Sequence, residues 1–134
     1  MNSKSYKNNT LLALTETLKD LSTNGFDCYV PLGLVYASRI IATREADGKV
    51  FKIKIKYVDK VNNELVLRLQ SKLFSLVGRR SQLFKDVDGI AIFNKELQRP
   101  IYVHKDQVEL SDSVYSILLD DTNSPIEEVN IDNW

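Results

Sequence analysis

The stretch Gly48–Val58, GKVFKIKIKYV, sets Lys52, Lys54 and Lys56 on one side of an alternating pattern and Phe51, Ile53, Ile55 and Tyr57 on the other. Period-two alternation predicts a half-buried strand with a row of amines on one face. Such a row can do two kinds of chemistry. It can contact phosphate oxygens, or one lysine can orient or deprotonate a water and balance charge at a reacting phosphate. The plain alternative is a solvated strand face, to which the pattern alone gives equal standing.

Other reactive residue types are sparse. His104 is the sole histidine and Cys28 the sole cysteine, so neither has a partner at metal-ligand or thiol-catalytic spacing. Both are expected to be structural, with Cys28 a small apolar residue of the core. Gly78-Arg79-Arg80 lacks the glycine spacing of a phosphate-cradling loop. Tyr36, Tyr57, Tyr102 and Tyr115 lie within apolar segments and are expected in the core or an interface.

The chain has 134 residues, of which 43% are hydrophobic and 27% charged, as for one soluble domain with its own core. No run approaches the ~18 apolar residues of a membrane span. The polar opening MNSKSYKNNT lacks the apolar centre of a signal peptide. With a single cysteine, this predicts a cytoplasmic protein. The zero net charge hides an asymmetry. Residues 49–85 carry ten Lys/Arg against Asp59 and Glu64, whereas residues 86–134 carry three basic and eleven acidic residues. A basic block fits a nucleic-acid surface. It equally fits a protein-interaction domain in which the basic third of one copy meets the acidic third of another.

The elements that must position these residues follow from pattern. TLLALTETLKDLSTNG (10–25) predicts a helix with a stripe of Leu11, Leu14, Leu18 and Leu21 and a stop at Gly25. FDCYVPL predicts a strand that Pro31 confines to an edge. Residues 38–42 and 49–58 form a hairpin across Asp47-Gly48. Residues 64–70 form another strand after Asn62-Asn63. Residues 71–85 read as a loop or short helix with a basic tip. DGIAIFN (88–94) and RPIYVHK (99–105) form a second hairpin, and 113–121 a short helix or last strand. The acidic tail 121–134 is expected to be loosely docked. Together they predict a single α/β or α+β domain, a mixed sheet with a helix on one face.

In their order, NGFDCYVPLG (24–33), RIIA (39–42), DGKVFKIKIK (47–56), DVDGIAIFN (86–94) and PIYVHKDQV (100–108) resemble the PD-(D/E)XK nuclease superfamily, in its small branch of homing endonucleases from group I introns. The likeness covers about residues 10–110 and implies a restriction-endonuclease-like mixed sheet with flanking helices. In such nucleases a carboxylate on the first strand of the hairpin, and a carboxylate or amide two residues before the lysine, bind Mg²⁺. The metal activates water and stabilises the charge that develops on phosphorus. The matching positions here are Arg39 and Lys54, and only Lys56 agrees with the pattern. The first-helix glutamate of such enzymes matches a register near Leu14, and Glu16 sits on another helix face. The resemblance therefore implies a nuclease fold with a degenerate site, no metal and no cofactor. DNA binding would use Lys52, Lys54, Lys56, Arg79, Arg80 and Lys85, with a scaffolding or homo-oligomeric role as the other outcome. The alternative is an active Mg²⁺-dependent nuclease with relocated ligands such as Asp27, Glu45 or Asp47.

Overall fold

The structure, a computed structural model, describes residues 3–31, 39–68, 84, 86–108, 114–125 and 131–134. Helix α1 (Ser3–Thr23) precedes eight strands: β1 (Phe26–Tyr29), β2 (Arg39–Arg44), β3 (Val50–Tyr57), β4 (Lys60–Val61), β5 (Glu64–Arg68), β6 (Gly89–Phe93), β7 (Ile101–His104) and β8 (Val114–Leu118). Five of them form a mixed sheet in the order β1-β2-β3-β6-β7. Strands β4, β5 and β8 form a second, three-stranded sheet. Only β3 and β6 run parallel in the main sheet. This is the expected mixed α+β core. The described residues contain one α-helix, and the segment read as a short helix or last strand holds strand β8. No helix among them is long and apolar enough to cross a membrane.

Alternation explains the sheet. On one face of β2 and β3, Ile40, Ala42, Phe51, Ile53 and Ile55 are buried. Helix α1 packs against β1, β3 and β6. Among the described side chains of α1, Ala13, Thr17 and Leu21 are buried, with Leu14 and Leu18 half-buried against the core. The expected leucine stripe is therefore rotated. Leu11 is 60% exposed, because the small side chains of Ala13 and Thr17 let the helix approach the sheet along a neighbouring line. The helix also starts earlier than its leucines suggest. It ends as expected, with Gly25 at φ +88° just beyond it.

The turns hold register. Gly48 adopts φ +72° in the β2–β3 hairpin, and Asp47 Oδ1 accepts from Lys49 N at 3.0 Å. Asn62 takes φ +58° between β4 and β5, where Val61 pairs with Glu64. The β6–β7 hairpin is closed by buried Asn94, which donates to Val58 O at 2.9 Å and accepts from Glu96 N at 2.9 Å.

Residues 131–134, within the tail expected to dock loosely, pack on the core. Ile131 is buried. The Trp134 ring lies edge-on to Phe51, Tyr102 and His104, with centroids 5.7, 6.3 and 5.1 Å away. Arg44 fixes this return, donating to Ile131 O at 3.0 Å and Trp134 O at 3.1 Å while stacking over Phe51. The indole, with buried Ile131, gives this end an apolar anchor despite the acidic composition around it.

Candidate nucleic-acid interface

The face of the main sheet opposite α1 divides in two. Over β6 and β7 it is apolar, and Ile90, Ile92, Ile101 and Val103 are all buried. Over β1, β2 and β3 it is polar and more open. Register builds it row by row, because cross-strand partners share a face. Arg39 pairs with Lys54. The next row is Tyr29–Ile41–Lys52, and the one beyond it Asp27–Thr43–Val50. Lys56 continues the β3 side past Lys54, beside Ile92 of β6. The row spacing is about 7 Å, two strand residues.

The three lysines of β3 differ in depth. Lys52 is exposed, whereas Lys54 and Lys56 are half-buried. Burial lowers the Lys54 pKa, and the nearby Arg39 charge lowers it further. Burial likewise lowers that of Lys56, with Lys54 as the neighbouring cation. Among the described residues no carboxylate pairs with Arg39, Lys52, Lys54 or Lys56. The nearest acidic group along the strand pair, Asp88, is committed to the backbone. Its Oδ2 accepts from Lys52 N at 2.8 Å, and its own N–H donates to Lys52 O at 2.8 Å. Asp88 thus aligns the start of the parallel β3–β6 ladder. A cluster of cations, two of them half-buried and without a counter-ion among the described residues, suits an incoming anion, since a phosphate restores interactions that burial has removed.

The carboxylates weighed as alternative metal ligands are elsewhere. Asp27 is four β2 positions from Arg39 by register, about 13 Å along the strand. Glu45 and Asp47 lie in the hairpin turn, at least about 17 Å from the Arg39 row. Asp47 is held by Arg44 at 3.2 Å, and the Lys49 N–H and Arg44 lower its pKa. Among the described residues no group of three His, Cys, Asp or Glu could hold a metal ion. A cleft of about 510 Å³ beside this turn is lined by Phe26, Arg44, Glu45 and Asp132, but its arginine is already engaged.

Arg79, Arg80 and Lys85 lie outside the described residues, as do Tyr36 and the Tyr115 side chain. His104 is structural as expected: Nδ1 accepts from Asp106 N at 3.1 Å and caps the short turn Lys105–Gln107. Cys28 is half-buried against the core, and burial raises its pKa. Tyr102 is buried and donates to Asp20 Oδ2 at 2.6 Å, and Arg99 pairs with Asp20 at 3.2 Å. Sequence reasoning missed Tyr29 and Ile41, exposed on the cationic face. The signal was available, because residues 39, 41, 52 and 54 share one parity across the hairpin.

No protein-family profile matches this chain, and no curated protein matches it either. Among solved structures, the chain is similar to a bacterial homing endonuclease, I-Ssp6803I, with a TM-score of 0.62 and 16% sequence identity. The match covers 98% of this chain and 84% of that one. At this identity the likeness shows a shared endonuclease-like fold.

Proposed function

We propose that this chain is a PD-(D/E)XK-type fold whose metal site has become a phosphate-binding site, so that it binds DNA without cleaving it. The observation that carries this reading is the direct pairing of Arg39 with Lys54. These are the two positions at which the family pattern places its Mg²⁺ ligands, and the sheet register makes them neighbours, as a ligand pair must be. Both carry fixed positive charge and no ligand oxygen. Two unit charges about 4 Å apart repel by about 4 kcal/mol at an effective dielectric of about 20, and a divalent ion meets about twice that from each. The same charges favour a phosphodiester. Lys56 stays at the place of the family lysine, next to them. The homing-endonuclease likeness supports DNA as the source of that phosphate.

The test is the salt dependence of duplex binding between about 50 and 200 mM salt. If Arg39, Lys54 and Lys56 each meet a phosphate, log K falls with log salt at a slope near −3, about −0.9 per contact. Arg39→Ala with Lys54→Ala flattens it by about two. Absence of binding to duplex and single-stranded DNA alike at low salt, or a slope indifferent to those changes, overturns the reading.

A further inference from the structure

We infer that the DNA taken by this face is single-stranded, with a base stacked on Tyr29 and the adjoining phosphates on Lys52, Arg39 and Lys54. The inference rests on the DNA-binding reading above and deepens it.

Tyr29 is the end of a row that crosses three strands, Tyr29–Ile41–Lys52. Tyr29 is 58% exposed on an edge strand, and Ile41 beside it is 37% exposed. Among the described residues, the Tyr29 side chain makes no hydrogen bond or ring contact. It therefore adds nothing visible to stability, and it faces the same way as the cations. Two strand spacings, about 10 Å, separate Tyr29 from Lys52, the scale of a single nucleotide from base to phosphate. The Arg39–Lys54 row lies about 7 Å further on, where a following phosphate would sit. An aromatic platform beside a cationic track is the arrangement that binds single strands without reading sequence. In a duplex the π-faces of the bases are covered by their neighbours, so Tyr29 and Ile41 would contribute nothing there.

The face also sets a direction. Asp27, in the row beyond Tyr29, puts a carboxylate on the same surface. It repels phosphate at that end and leaves the path toward Arg39 and Lys54 open.

The experiment compares fluorescence anisotropy of a labelled oligothymidine of about 12 nucleotides with that of a duplex of equal length, at low salt. The single strand is expected to bind about tenfold more tightly. Tyr29→Ala should remove about tenfold from single-strand affinity and leave duplex affinity within about twofold. Tyr29→Phe, which keeps the ring, should restore the wild-type value. Equal or tighter duplex binding overturns the inference while leaving the DNA reading intact. So does a Tyr29→Ala variant that loses nothing, or that loses both probes equally. Binding of neither probe overturns both.

Discussion

Arg39 stands directly opposite Lys54 across the β2–β3 ladder, and no carboxylate among the described residues neutralises either side chain. Folding therefore brings two cations together, one of them half-buried, without a carboxylate partner among those residues. A cost in stability that the fold itself does not require points to a ligand as its reason.

Removing one of the charges should accordingly help the fold and harm the binding. Lys54→Met keeps the apolar stem and deletes the amine. Its melting temperature is expected to rise and its salt slope for DNA to flatten by about one. A lower melting temperature with unchanged DNA affinity would mean that Lys54 has a stabilising partner instead.

The lowered pKa values of Lys54 and Lys56 give a pH dependence with a defined sign. Each folded pKa lies below the ordinary 10.5. Between the two values the unfolded chain holds more protons, so stability rises with pH across that window. At lower pH, where both states are protonated, the two lysines detract from stability. DNA affinity should move the other way. It should decline at a pH below that expected for an ordinary lysine, as the two amines lose their protons. Titrating both properties from neutral to alkaline pH checks the opposed trends.

The Tyr102–Asp20 hydrogen bond ties β7 to α1 in a buried setting. Burial and the Asp20 carboxylate push the Tyr102 pKa far above its usual range, so the phenol stays a donor. Tyr102→Phe leaves Asp20 with Arg99 and no phenol. The expected loss is about 1.5–3 kcal/mol in urea denaturation, the range for a hydrogen bond to a charged group. A loss under about 0.5 kcal/mol would show that the carboxylate recovers its bond from water.

Gly89 begins β6 where the Trp134 ring crosses it. A Cβ there would overlap Trp134 Cη2 and lie 2.6 Å from Val103 O. Gly89→Ala should therefore destabilise the fold markedly. Adding Trp134→Ala should recover only part of the loss, because the Val103 carbonyl is backbone and stays. Full recovery in the double variant would assign the whole conflict to the indole.

Much of this was legible in the sequence because hairpins are local. Asp47-Gly48 and the alternation on either side determine which residues of β2 and β3 pair. Arg39, Lys54 and Lys56 could thus be placed together before any coordinates. The position of α1 was less legible. A leucine stripe signals an apolar face, but the contact line passes through Ala13 and Thr17, where close approach matters more than hydrophobicity. The docking of Trp134 and the Asp20–Tyr102–Arg99 cluster depend on partners about 80 residues apart in sequence, for which periodicity carries no information. Tyr29 was passed over because a strand ending near a proline suggests only an edge, and what an edge residue faces is decided by its partner strand.

The central claim is tested most directly by incubating the protein with plasmid and single-stranded DNA while Mg²⁺ or Mn²⁺ is raised from zero. The account predicts no cleavage above background and a DNA affinity that falls steadily, since added cations compete for the phosphates that Arg39, Lys54 and Lys56 contact. Metal-dependent cleavage that disappears in Lys56→Ala would contradict it and would mean that a working metal site survives beside that lysine.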